Sequence, residues 1–272
     1  MQQVAQTNIQ LFNQMYAQQR SDHDLRLVKA AYDASTVLSA GYYQADGKPF
    51  VCHGVGVASI MCFAGMPARY LAFGILHNIY QNGDFGGGLK TPVTPYKRAF
   101  IRERVGAEVE ELIYRFRDMR VTTSTIDRIE AGLPGYDETE RLLIATDLAD
   151  HIEKYVDAGV LYFGDGSWIS NQTSAHGDRL IGLAERLGQP VLARMMREAF
   201  AAVDGKAPMP EAVRPPKNRK YVALTLPLSA RPKFLARMRG KLERSLHKMK
   251  ARKSVAPQAP APEMSSAPVP KT

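Results

Sequence analysis

Apolar positions recur at helical spacing along most of the chain up to about residue 203, and polar, glycine and proline breaks divide them into separate helices. Val4, Ile9, Phe12, Met15 and Tyr16 predict an amphipathic helix within residues 1–20. Leu25, Leu27, Val28, Ala31, Val37 and Leu38 predict a second from Asp22 to Ala40, capped by Ser21 or Asp22. A third carries Val57, Ile60, Met61 and Ala64, with His53 one turn earlier on the same stripe, and ends at Gly65-Met66-Pro67. The fourth runs from about Ala68 to Tyr80, with Leu71, Ala72, Ile75 and Ile79 apolar and His77-Asn78 in its last turn.

Pro95 to Asp118 is periodic through Ile101, Val105, Val109, Leu112, Ile113 and Phe116, and its charges, Arg102, Glu103 and Glu110 among them, read as a solvated face. A short helix over Thr125–Ala131 stops at Gly132-Leu133-Pro134-Gly135, and a strong one follows from Glu138 to Ala158. Ser174–Gly188 and Val191–Val203 predict two closing helices. Lys206–Pro232 is rich in proline and positive charge, with KYVALTLPL as a short strand or docked segment. Between Arg231 and Lys253, Leu235, Met238, Leu242, Leu246 and Met249 form one stripe among ten Lys/Arg residues. Ser254–Thr272 is a Pro/Ala/Ser tail expected to be disordered. The expected organisation is therefore an N-terminal helix (1–20), an all-α helical domain (21–203), a basic linker (204–230), a basic amphipathic helix (231–253) and a tail (254–272).

Charge sharpens this division. The net +9 is concentrated from Arg214 onward, where Lys/Arg outnumber Asp/Glu by 13, whereas the preceding residues sum to −4. The basic helix is suited to an anionic membrane surface, nucleic acid or an acidic protein. No stretch is long and apolar enough for a transmembrane segment, and the N-terminus lacks a signal-peptide pattern. Cys52 and Cys62 are the only cysteines, so the expectation is a cytoplasmic protein, peripheral at the membrane if the basic helix binds there.

His53 and His77 lie on successive helices, and Asp147 and Asp150 share a face of the Glu138–Ala158 helix. A single buried histidine is more often a core residue bonded to backbone. Two histidines with Asp150 make a set able to hold a transition metal, with Asp147 as an alternative carboxylate. The glycine-rich stretch Gly83–Gly88 reads as a connector beside this site, not a phosphate cradle, because no helix opens directly behind it. His151 points about 100° away from Asp150 and is not expected to be a ligand.

Three stretches, AYDASTVLSAGYYQADGKPF, VCHGVGVASIMCFAGMP and AFGILHNIYQNGD, followed by IRERVGAEVEELIYRF and LLIATDLADHIEK, resemble the hydrolase domain of the RelA/SpoT group within the HD superfamily of metal-dependent phosphohydrolases. The resemblance spans roughly residues 24–160 in order. It implies a single HD-type bundle and one divalent metal, manganese first and iron or zinc as alternatives, on His53, His77, Asn78 and Asp150. It also implies a phosphorylated small-molecule ligand, with Gln81 and Asn82 at the family's water-handling Glu-Asp positions. Gln44 and Ala45 fall at its base-binding Arg-Lys pair, and nearby Lys48 is a candidate ligand contact.

The chain departs from the family in a consistent direction. Asn78 replaces an aspartate ligand, and Gln81 and Asn82 replace acids. Amides keep shape and hydrogen-bonding reach but cannot take up a proton near neutrality. Asp84 is the candidate replacement carboxylate if its loop folds back. Two functions follow as expectations: a metal-dependent phosphohydrolase with an altered substrate, or a degenerate HD module without metal or hydrolysis, used for binding or scaffolding and targeted by its basic helix.

Overall fold

The computed structural model describes residues 3–163, 175–215 and 223–226, together with 235, 238–243 and 245 near the C-terminus. Leu246, Met249 and the 254–272 tail lie outside the described residues.

The chain is all-α. The described residues include the helices α1 (Asn8–Ala17), α2 (Asp22–Ser39), α3 (Phe50–Phe63), α4 (Ala68–Leu76), α5 (Ile79–Asn82), α6 (Pro95–Arg115), α7 (Ile126–Gly132), α8 (Glu138–Tyr155), α9 (Ala175–Arg186) and α10 (Pro190–Ala201). The described residues between 235 and 245 are helical as well. Capping boxes at Thr7, Ser21 and Asp137 start α1, α2 and α8, each satisfying backbone N–H groups that the first turn leaves unbonded. Among the described residues no helix is long and apolar enough to cross a membrane.

Helix α3 forms the middle of the bundle. It is buried from His53 through Cys62 and packs on α4 on one side and α8 on another. Two glycines let α3 and α4 approach closely. A methyl group on Gly54 would stand 2.6 Å from the Ile75 carbonyl oxygen, and one on Gly74 would stand 2.6 Å from Met61 Sδ. Both contacts flank the histidines, so the close helix crossing also brings His53 and His77 together, with ring centroids 5.2 Å apart.

Three local features differ from the periodicity. The fourth helix stops at Leu76, and His77 and Asn78 form the joint before α5. Helix α6 is broken at Gly106, whose φ of 85° only glycine adopts readily. Beyond that break Glu110 is fully buried, not solvated: Arg98, Arg102 and the Tyr80 hydroxyl all bond its carboxylate. An apolar stripe alone could not reveal a buried acid whose phenolic partner lies 30 residues away.

The linker contributes a docked segment, as its KYVALTLPL stretch predicts. β2 (Ala223–Leu224) pairs antiparallel with β1 (Tyr42–Tyr43), and the Thr225 N–H donates to the Gly41 carbonyl at 2.7 Å. Gly41 has a φ of 79°, and a Cβ there would collide with Thr225 O at 2.8 Å.

Candidate metal centre

The site is assembled where the end of α4 and the first turn of α3 meet the middle of α8. His53, His77 and Asp150 are all buried, and one ligand atom from each falls within 4.8 Å of the others. Asp150 Oδ1 lies 3.0 Å from His53 Nε2 and 3.6 Å from His77 Nε2.

The outer nitrogen of each ring decides what the inner one presents. His53 Nδ1 is 2.5 Å from Glu153 Oε2, and a carboxylate can only accept, so Nδ1 carries the proton. His77 Nδ1 donates to the Gly74 carbonyl at 2.7 Å. Burial pushes His77 below the usual imidazole range despite the nearby Asp150, which keeps the ring neutral. With its proton on Nδ1, His77 turns an Nε2 lone pair toward Asp150 Oδ1. Both atoms are buried; Asp150 Oδ1 has His53 Nε2 at 3.0 Å, whereas His77 Nε2 makes no hydrogen bond among the described residues. Two lone pairs facing each other at 3.6 Å with no donor between them is an unfavourable arrangement that a cation between them would relieve.

Fixing a ligating imidazole through its second nitrogen is what metal sites require. The donor set of two imidazoles and one carboxylate suits a borderline transition metal, so this group can hold a metal ion.

The other Asp150 oxygen is already engaged. Oδ2 takes Lys154 Nζ at 2.7 Å and Arg120 Nη2 at 3.1 Å. Burial opposes the charge on Asp150, but Lys154 and the two histidines hold its carboxyl well below the usual range. Asp147 is fully buried and belongs to the frame: Arg120 Nε pairs with Oδ1 at 2.5 Å, and the Val121 N–H donates to Oδ2 at 2.7 Å. Burial works against Asp147 as well, and Arg120 and His151 outweigh it, leaving the carboxylate ionised. Glu153 stays ionised against burial through His53 and Lys48. His53 is drawn both ways: burial disfavours its charge, and Glu153 with Asp150 overcomes that and raises it. Three acids, Asp147, Asp150 and Glu153, thus face three cations, Arg120, Lys154 and Lys48.

Of the expected residues, His53, His77 and Asp150 come together. Asn78, partly buried at the joint before α5, Gln81, exposed, and Asn82, partly buried, follow His77 within five positions. Asp84 does not fold back to it. Its carboxylate accepts the Gly86 and Gly88 N–H groups and the Tyr42 hydroxyl, which organises the glycine-rich connector. Lys48, a candidate ligand contact, is ion-paired with Glu153. Gln44 is buried in the turn that delivers Lys48, its N–H bonded to the Lys48 carbonyl at 2.8 Å.

Glu153, Lys154 and Arg120 were not anticipated. Glu153 and Lys154 extend the Asp147/Asp150 face by three and four residues, a signal present in the sequence. Arg120 sits in an irregular connector that no periodicity marks. Gly56 gives Glu153 its space, since a Cβ there would stand 2.6 Å from Glu153 Cγ. No protein-family model matches the chain, and no curated protein matches it.

Proposed function

We propose that this chain is a metal-dependent phosphohydrolase-like protein of the HD type, holding one divalent cation on His53, His77 and Asp150 and taking a phosphorylated small molecule, a nucleotide or related phosphoester, as its ligand. The reading is supported above all by the facing pair of His77 Nε2 and Asp150 Oδ1, buried, not bonded to each other and 3.6 Å apart. Manganese is the first candidate, with iron and zinc as alternatives. A divalent metal there supplies Lewis acidity toward a phosphoryl group.

The residues of the chain divide the remaining work. Glu153 and the Gly74 carbonyl orient the imidazoles. Lys154 and Arg120 occupy Asp150 Oδ2 and leave Oδ1 as a single ligand atom. Arg120 is 30% exposed, so it carries positive charge from the buried site to the solvent side, where a phosphate can use it.

A second reading, a binding or scaffolding module without hydrolysis, is favoured by one observation. Asp84, Asp147 and Glu153 are each committed to hydrogen bonds or ion pairs, and the positions suited to a base hold Gln81 and Asn82. In that reading the basic C-terminal helix is the targeting element.

The test is elemental analysis of the full chain beside His77→Gln, with circular dichroism to confirm that both are folded, followed by a phosphate-release screen over nucleotides. About one metal per chain, lost in the variant, with turnover supports the enzyme. Metal without turnover supports the binding module. Absence of metal from folded wild type after reconstitution with Mn, Fe and Zn removes the metal-dependent reading.

A further inference from the structure

Between the connector that follows α5 and the C-terminal helix lies a cavity of about 520 Å³. Lys90, Lys97 and Lys241 line it, and no carboxylate side chain does. Lys97 is buried and donates to the Thr91 carbonyl at 2.9 Å and to Thr91 Oγ1 at 2.7 Å, with its ammonium 5.0 Å from the centre of the Phe85 ring. Burial lowers its basicity, partly offset by Asp84, whose oxygens accept from Gly86, Gly88 and Tyr42. Lys241 reaches over Gly88 from the other wall.

Lys241 and Ser245 lie in the stretch 231–253 that the sequence predicts as a basic helix, as do Leu235, Met238 and Leu242, which are 68%, 49% and 62% exposed. Spacings of three and four put those apolar residues on one stripe, and Lys241 and Ser245 fall along its edge. The stripe is thus not packed on the domain's own core and borders the cationic cavity directly. Residues 231–253 carry ten Lys/Arg and a single acid, Glu243. Apolar side chains flanked by cations suit the headgroup boundary of an anionic bilayer, because burial of the stripe and attraction of the rim act in the same direction.

We infer that this corner of the molecule binds an anionic phospholipid, with the headgroup phosphate between Lys97 and Lys241 and with Leu235, Met238 and Leu242 entering the acyl boundary. The inference is independent of the metal centre.

Basic tails bind anionic vesicles without any cavity, so the test must separate the two. Full-length protein is floated with vesicles of phosphatidylcholine alone or mixed with phosphatidylglycerol. Tyr96→Glu puts a carboxylate at the cavity wall without touching the tail, in the first turn of α6 where an acid is tolerated. Tyr16→Glu adds the same charge to an exposed position on α1. The expected result is binding only to the mixed vesicles, weakened about five- to tenfold by Tyr96→Glu and less than about twofold by Tyr16→Glu. Met238→Asp with Leu242→Asp, both at exposed sites, should abolish flotation. Equal effects of the two tyrosine variants would overturn the cavity's role, leaving tail charge alone. Binding of glycerol phosphate without any vesicle binding would overturn the lipid assignment in favour of a soluble phosphate.

Discussion

His53 and Glu153 meet through Nδ1 and Oε2 at 2.5 Å across a hundred positions of sequence, and the same carboxylate is paired with Lys48. The first imidazole is therefore held from behind by a fully buried acid that is itself neutralised from the turn before α3. This relationship gives the site a defined ring orientation before any ion arrives.

Glu153→Gln is expected to weaken binding of Mn²⁺ or Zn²⁺ by about ten- to a hundredfold, the usual effect of losing an orienting partner of a ligating histidine. Competition against a coloured chelator measures it. An unchanged affinity in a folded variant would reduce Glu153 to a structural role.

Metal should stabilise the chain by mass action. At a concentration a hundred times the dissociation constant the gain is about 2.7 kcal/mol. Thermal unfolding with and without metal should show this shift in wild type and none in Asp150→Asn, whose amide lacks the anionic oxygen. Equal shifts in both proteins would place the ion elsewhere.

Gly54→Ala should cost about 1–3 kcal/mol, because its methyl group meets backbone at Ile75 and cannot be accommodated by a rotamer change. Gly182→Ala, in α9 with no atom within 4 Å of the added Cβ, should instead stabilise by up to about 1 kcal/mol through helix propensity. Denaturant titration of the two variants reads the contrast, and similar changes in both would contradict the helix crossing described here.

The Glu110 network should appear in acid. Burial opposes charge on Glu110, but Arg98, Tyr80 and Arg102 together hold its carboxyl below the usual value. A group depressed in the folded state adds stability that is present above its unfolded value and is lost as pH falls through the folded one. Glu110→Gln should therefore be less stable than wild type at neutral pH, with the gap closing below about pH 4. Urea midpoints from pH 7 to pH 3 test this, and a gap independent of pH would show that Glu110 contributes packing alone. The difference between the two proteins is the quantity to follow, since Asp147, Asp150 and Glu153 also make wild type acid-sensitive.

The helices, and the shared face of Asp147 and Asp150, were legible because each rests on a local pattern, a stripe at helical spacing or two acids three residues apart, whereas the grouping of His53 and His77 with Asp150 was implied by the family resemblance. What was not legible depends on contacts between distant segments. The paired cations Arg120 and Lys48 give no periodic signal, and neither does the burial of Glu110. Asp84 illustrates the same limit: its composition permits a return to the site, but its carboxylate has nearer partners in the Gly86 and Gly88 N–H groups. Gly106 was visible as a residue, yet the apolar repeat continues across it and conceals the break.

The Gly54–Ile75 approach has a consequence for ion choice. His53 precedes one of these residues and His77 follows the other by two positions, so the separation of the imidazoles is set by main chain pressed against main chain. With the backbone spacing fixed, a cation held there as proposed would be favoured if its radius is small and its bonds short, over large ones such as calcium, whose longer bonds and higher coordination number need a site that can expand.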